Sequence, residues 1–522
     1  MQQFVANHAE QVIGVLSGFD RLVFRGTLRT LSQRGGLMRY LWAVRVLLVD
    51  FAAHALELTR QLKDASLSLA RQSGRPVQYL TAASQDKEAI ARKIAERDRI
   101  DRGLICVLTA VEPCWSYEIV RDRARKRIEA EPRYRKCLHL YHYQIHPRFG
   151  FMSARIQTWL PFRIQICLNG REWLARSMDA AGLQYLQRDN CFTWLEHPEQ
   201  AQRLMDRQLG SDWPTLLDEI ARSLNPQHDT MFADFPVQYY WSTYQSEWAT
   251  DIMFRDPAAL ARLYPKLVQH SLTTFLSPDV MRFLGRKPPS IGTLPPRLTA
   301  DVVSDVKHRP EGVRIKHRVG ENSIKMYDKQ GSVLRIETTI NDVDDFKTFR
   351  APENKPDAEP NWQRMRKGVA DLRRRAEVSQ AANDRYLQAL ASVEDTTALG
   401  ELTTRLCRPV RYKGRRVRAV NPHAPQDSAL LEAISRGEFT LNGLRNRDIR
   451  ARLFAKPART KAEQKSQAAV VSRKLHLLPA HRLIRKVPRT HRYHLTQAGR
   501  IVVTALMAAR NANAQQLTKL AA

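Results

Sequence analysis

GVRIKHRVGENSIKMYDKQGSVLRIETTI, residues 312–340, is the stretch that decides the fold class. Its three runs, GVRIKHRVG, SIKMYDK and SVLRIETTI, alternate apolar and polar residues at a period of two, as strands with one buried face do. Gly-Glu-Asn at 320–322 and Asp-Lys-Gln-Gly at 328–331 supply the turns. Turning Ile315, Ile324, Met326, Leu334, Ile336 and Ile340 inward leaves Arg314, Lys316, Arg318, Lys325, Tyr327, Arg335 and Glu337 on the other face. The expected unit is an antiparallel meander, apolar on one side and basic on the other, with a single tyrosine and a single glutamate in the basic field.

Upstream the pattern is α/β. FDRLVFRGTLR holds a short strand around Leu22 and Phe24 that ends at Gly26, and a helix is expected from Met38 to Arg71, closed by Ser73-Gly74. PVQYLTAA, SQDKEAIARKIAERDRI (capped by Ser84) and GLICVLTAVEP read as strand, helix and buried strand, a βαβ unit with parallel pairing. Ile164, Ile166 and Leu168 alternate with polar neighbours, and Asn169-Gly170 leads into a helix with Gly182 at its C-cap. Residues 196–285 read as mostly helical, Pro288, Pro289, Pro295 and Pro296 mark a linker, and Gln363–Ala391 reads as a charged helix.

The expected architecture is therefore multidomain α/β plus α+β, with a central antiparallel sheet and a C-terminal winged helix. Its parts are an α/β domain (1–150), a strand hairpin with a helical region (151–285), the meander (286–350), a linker with the charged helix (351–400) and a basic domain (401–522).

Charge separates these parts. The chain of 522 residues carries +31, and residues 401–522 hold 26 Lys and Arg against 6 Asp and Glu, a surplus of 20. A one-signed field concentrated on one domain is the footprint of a polyanion binder. Membrane surface is a poor candidate, because no apolar run is long enough to span and MQQFVANHAEQ lacks the basic start and apolar core of a signal peptide. The six cysteines form no C-x-x-C pair, so neither a zinc ribbon nor a disulfide framework is indicated, and a reduced, soluble, cytoplasmic protein is expected.

Within the basic domain, GEFTLNGLRNRDIRARLF offers Thr440 or Asn442 as a cap and Leu444, Ile449 and Leu453 at helical spacing. QAAVVSRKLHLLPAH supplies a helix with Val470, Val471, Leu475 and Leu478 inside and Arg473, Lys474 and His476 outside. LIRKV and HRYHLT follow as two strands around a basic turn, before the helix AGRIVVTALMAAR. In the run SRKL…LIRKV…RYHLT over about residues 437–510, the chain resembles winged-helix proteins of the MarR and ArsR kind. It departs from them at Pro479 and Arg482, where those proteins usually have a helix former and a glycine. The resemblance implies duplex DNA as the partner, with Arg473, Lys474 and His476 in the major groove and Lys486, Arg489 and Arg492 on the wing. RLCRPVRYKGRRVRAV, with Arg411, Lys413, Arg415 and Arg416, reads as a basic arm along the phosphates.

Two constellations suggest chemistry. KMYDK (325–329) followed by LRIE (334–337) resembles a motif of rolling-circle replication initiators, including the filamentous-phage gene II type. That resemblance implies Tyr327 as a nucleophile and Glu337 as a ligand to Mg2+ or Mn2+. The basic face around them, Arg314, Lys316, Arg318 and Lys325, is expected to bind nucleic acid. The initiators also carry a His-hydrophobic-His strand. Here HLYHYQIH places His139 and His142 on opposite faces if extended, whereas His139, His142 and His146 share one face only if helical. The second constellation is Asp20 and Glu112, two acids at strand ends that could hold metal ions for phosphodiester cleavage.

Walker, Rossmann, G-x-S-x-G and H-E-x-x-H patterns are absent. The expectation is a DNA-binding protein of a replication or mobile-element type, able to nick or transfer strands. The alternative is a non-catalytic regulator or an RNA-binding scaffold that stacks bases on Trp159, Phe162, Tyr239, Tyr240, Trp241 and Tyr244 beside Arg163.

Overall fold

The computed structural model describes residues 1–122, 127–275, 277–285, 302–309, 312–352, 355, 357–391, 399–435, 444–454, 458–487 and 490–511. The linker prolines, Thr440, Asn442 and Arg489 lie outside them. The chain divides into two units, one of residues 9–260 and 305–383, the other of residues 1–8, 261–304 and 384–522.

The first unit is mixed α/β and is built on a sheet of eleven strands. We label these β1 (Val12–Leu28), β2 (Val77–Leu80), β3 (Gly103–Asp122), β4 (Arg127–His146), β5 (Gly150–Gln157), β6 (Ile164–Asn169), β7 (Tyr239–Phe254), β8 (Val302–Arg309), β9 (Gly312–Val319), β10 (Asn322–Lys329) and β11 (Val333–Ile340). Their spatial order is β8-β9-β10-β11-β7-β1-β6-β5-β4-β3-β2. Pairing is antiparallel from β9 to β3, and β2 joins β3 in parallel, as the βαβ pattern requires.

The 312–340 meander forms in the expected register, with Lys325 opposite Glu337 and Tyr327 opposite Arg335. All six residues expected inward are fully buried. The meander is not a body of its own, however, because β11 pairs with β7 and so extends the large sheet. That pairing was hidden because 196–285 read as helical. YYWSTYQSEWATDIMF is instead the 16-residue strand β7, rich in the aromatic and β-branched residues that pack well on a pleated surface.

One face of the sheet carries the main apolar core. Leu22, Phe24, Ile164 and Ile166 pack there with Leu37 and Leu41 of the Arg34–Ala43 helix, Leu58 and Leu62 of the Phe51–Gln72 helix, and Leu217 of the Trp213–Leu224 helix. The single helix expected over 38–71 is thus two, broken where Arg45 takes φ 56° and a short 3-10 turn precedes Phe51. On the opposite face the helix Lys87–Arg97 covers one end, setting Ala91 and Ile94 on Cys106, Leu108 and Ala110. Asp86, not Ser84, caps this helix by accepting from the Ala89 amide at 3.0 Å. Gly182 closes the helix Gly170–Ala181 at φ 69°, as expected. The charged segment from Gln363 begins as a strand, Asn361–Arg364, and becomes α-helical only at Leu372, after a 3-10 turn at Val369–Asp371.

HLYHYQIH is strand, so no three-histidine face exists. His142 points toward the Phe51–Gln72 helix, where its Nε2 lies 3.1 Å from Ser66 Oγ and its Nδ1 has no partner. Burial drives its pKa from 6.5 down to about 4. A histidine depressed in the folded state stabilises fully above its unfolded pKa and loses that contribution as pH falls toward the folded one. Acidification from about pH 6.5 to 4 is expected to remove about 3 kcal/mol through this group. Chemical denaturation across that window, with wild type and His142→Leu compared, measures it. A His142→Leu profile as steep as wild type would show that the group is not involved.

Candidate active site and nucleic-acid interface

The polar centre of the sheet begins with a register shift. Phe19 pairs with Trp248 and Arg21 with Glu247, so Asp20 is an extra residue bulged into β1. Bulges re-aim side chains, and here Asp20 turns to the face of Glu247. Along β7, Glu247, Ala249 and Asp251 share that face by the period of two, and Ala249 and Asp251 sit opposite Glu337 and Arg335. Four carboxylates from three strands thereby meet the cations Lys325, Arg335 and Arg171.

The ion pairs are not evenly shared. Arg335 grips Asp251 with two bonds, Nε to Oδ1 at 2.6 Å and Nη2 to Oδ2 at 2.9 Å, and also donates to the Asn190 carbonyl at 2.6 Å. Arg171, fully buried at the start of its helix, adds a contact to Asp251 Oδ2 at 3.0 Å. Burial opposes the Asp251 carboxylate, yet these two guanidiniums outweigh it and hold the pKa below the ordinary range. Lys325 Nζ bridges Glu337 at 2.5 Å and Glu247 at 3.1 Å. Glu337 is likewise lowered, because Lys325 and Arg335 overcome its burial.

Asp20 and Glu247 are left with an unmet demand for positive charge. Asp20 Oδ2 accepts from Asn190 at 2.8 Å and lies 3.4 Å from Arg335 Nη1, but Oδ1 is buried without a hydrogen-bond partner. Burial, then the neighbouring Glu337, raises the pKa of both Asp20 and Glu247. One oxygen from each of Asp20, Glu247 and Glu337 lies within 4.8 Å of the others. Three carboxylate oxygens at that spacing suit a hard divalent cation such as Mg2+ or Mn2+. Asp20 and Glu247 also border a cavity of about 240 Å³, with Arg21, Asn169, Asn190 and Lys329 among its lining.

The other residues read from sequence are sorted by this geometry. Tyr327 is half-buried on the same face, and burial and then Glu337 raise its phenol pKa. Glu112 is not part of the cluster. It lies mid-strand in β3, not at a strand end, and is held by Arg155 at 2.7 Å, Lys87 at 3.2 Å and the Tyr141 hydroxyl at 2.5 Å. The expected basic face of the meander is largely spoken for: Arg314 is buried on Asp305 at 3.1 Å and Lys325 is buried between its glutamates. Lys316 is half-buried and Arg318 exposed, so only these two remain near solvent. Comparison with protein-family models, curated proteins and solved structures finds no match.

Glu247, Asp251, Arg171 and Asn190 went unread. The available signal was the pair Glu247 and Asp251 in an otherwise strand-forming, apolar run, where unpaired acids would be costly.

In the second unit, Leu430, Ile434, Leu444, Ile449, Val471, Leu475, Leu478 and Val503 belong to one core. It is built from the helices Pro425–Ser435, Asn446–Leu453, Lys461–Ala480 and Gln497–Asn511 and the hairpin of Ile484–Lys486 with Tyr493–Leu495. The Lys461–Ala480 helix starts earlier than expected, capped by Thr460, and runs through Pro479. Arg482 then takes φ 59°, the left-handed geometry that favours glycine. A cavity of about 1290 Å³ lies against the Lys461–Ala480 helix, the Ile484–Lys486 hairpin and the hairpin of Val410–Tyr412 with Arg415–Val417, and its lining among the described residues includes Lys413, Arg415, Arg473, Arg482, Arg485 and Lys486 and no carboxylate.

His476 lines this groove too, but Lys474 donates to the Gln426 carbonyl at 3.4 Å instead. In the hairpin of Val410–Tyr412 with Arg415–Val417, Arg411 and Arg416 pair with each other's positions and are exposed, while Tyr412, Arg415 and Val417 line the groove. Arg492 is half-buried at the foot of the second hairpin.

Replacing Arg335 by Met should leave Asp251 and Asp20 short of a buried cation and destabilise the first unit by about 3–5 kcal/mol. Urea denaturation of Arg335→Met and of the double variant Arg335→Met/Asp251→Leu checks this, since the double variant should regain much of the loss. Equal midpoints for wild type and Arg335→Met would show that the pair does not hold the sheet.

Proposed function

We propose that this protein is a DNA-binding protein of a replication or mobile-element type, which grips duplex DNA through a C-terminal winged helix and nicks or transfers a strand at the Asp20–Glu247–Glu337 cluster. The observation that carries the reading is the groove of about 1290 Å³ lined, among the described residues, by lysines, arginines and His476 without a carboxylate. A surface of that kind meets phosphate oxygens at many points and releases their counterions. The succession of three helices, a hairpin and a closing helix over 425–511 follows the winged-helix order, with Arg473 and His476 on the helix that would enter the major groove.

For the chemistry, Asp20, Glu247 and Glu337 would hold Mg2+ or Mn2+, which polarises a phosphodiester. The Tyr327 oxygen would form a bond to phosphorus as the ester bond to the leaving sugar oxygen breaks, and the phenol proton would pass to that oxygen. A second reading is favoured by Lys325, whose ammonium already bridges two of the three carboxylates. In that reading the cluster only holds the sheet and the protein is a non-catalytic regulator.

Supercoiled DNA incubated with the full chain and Mg2+ or Mn2+ separates them. Nicking that disappears in Asp20→Asn, and a covalent protein–DNA adduct that disappears in Tyr327→Phe, are expected. Absence of cleavage with either metal establishes the regulator. For the groove, Arg473→Ala and Lys486→Ala should each lower the slope of log K against log salt by about 1 for duplex DNA. An unchanged slope would place binding elsewhere.

A further inference from the structure

Where β1, β5 and the start of β6 adjoin the β3–β4 hairpin, the polar face of the sheet carries arginines short of acidic partners. Arg25 and Arg163 form no ion pair among the described residues, and Arg163 Nε is buried without a hydrogen-bond partner. They converge with Arg155 on a cavity of about 210 Å³ that Trp115 and Tyr134 also line. Glu112 fixes Arg155 at 2.7 Å, so the acid first read as catalytic serves to position a cation. Three guanidiniums brought together against a single carboxylate repel one another unless an anion joins them.

Aromatic rings flank these cations and face solvent. Trp115 and Tyr134 pack edge to face at 4.7 Å, yet Tyr134 stays 77% exposed. A further register shift in this pairing, between Val23 and Phe24, bulges Tyr244 out of β7 and sets its ring 4.0 Å from the Arg25 guanidinium. Tyr240 lies under Arg29 in the same manner and is also exposed. Of the aromatics read from sequence, Phe162 and Trp241 are core, whereas Tyr240 and Tyr244 alternate onto the open face. Arg25 stands five residues from Asp20 on β1, about 16 Å at the rise of a strand.

We propose that this face is a binding track for single-stranded DNA, with the Arg25–Arg155–Arg163 pocket taking a phosphate and Trp115, Tyr134 and Tyr244 stacking the neighbouring bases. Cations that follow a backbone, alternating with exposed rings that stack any base, are what sequence-tolerant single-strand binding uses. The track leads along β1 to the carboxylate cluster, and so deepens the proposed function by naming the form of the strand presented there. It rests on the reading that the chain acts on DNA.

The full chain is titrated with fluorescent oligo-dT and, separately, with duplex. Arg25→Ala/Arg163→Ala and Trp115→Ala/Tyr134→Ala should each weaken oligo-dT binding about tenfold or more while leaving duplex affinity unchanged. Arg473→Ala/Lys486→Ala should do the reverse. Because surface variants can unfold, oligonucleotides bearing a photoreactive thymine are also cross-linked to wild type, with the adduct expected on peptides holding Trp115, Tyr134 or Tyr244. Oligo-dT binding that falls only with the groove variant, cross-links confined to residues 399–511, or no oligo-dT binding at all would overturn the track. Loss of duplex binding or nicking with the track intact would instead remove only the proposed function.

Discussion

A carboxylate with almost no solvent contact in the middle of a sheet is stable only where cations reach it, and Asp251 is reached by two. Arg335 comes from the adjacent strand and Arg171 from the first turn of the helix after β6. The same guanidinium of Arg335 reaches Asp20 on β1 and the Asn190 carbonyl in the 185–195 hairpin. One residue therefore ties β11, β7, β1 and the hairpin together. Much of the polar face is arranged around that constraint. Arg335 and Arg171 are largely committed to Asp251, and Lys325 is committed to two glutamates. The residual negative charge collects on Asp20 and Glu247, beside the cavity.

The two bulges give the face its character. A regular β1 would carry Asp20 on the opposite side from Arg21, and a regular β7 would not present Tyr244 beside Arg25. Each inserted residue moves one side chain to the polar face without moving the strand's apolar residues out of the core. Acid and base are separated on this face: the carboxylates gather where β1, β7 and β11 adjoin, and Arg25, Arg155 and Arg163 gather on β1, β5 and just before β6, with Arg155 alone paired, to Glu112. In the second unit the separation is simpler. Its core is apolar, and its groove collects basic side chains from a helix and two hairpins.

Much of the fold is legible in the sequence. The meander at 312–340, its register and its two faces follow from alternation and from the glycines at 320 and 331. The parallel β2–β3 pair follows from its intervening helix, and Gly182 from its place after an amphipathic run. Tyr327, Glu337 and Asp20 were each picked out, but in two unrelated constellations, with Glu112 as Asp20's partner.

What the sequence determined by itself was local, because period, turn chemistry and charge density act over a few residues. It settled which segments alternate, where they turn, and that about two thirds of the excess charge lies after residue 400. Only the tertiary structure decided which strands are neighbours. Asp20, Glu247 and Glu337 are separated by roughly ninety to more than two hundred residues and meet because β1 and β11 both pair with β7. The strand that joins them was read as helix, so the meeting could not be anticipated. Whether a charged strand residue faces water or a buried counter-ion depends on what packs over the sheet, and alternation alone carries no information about that.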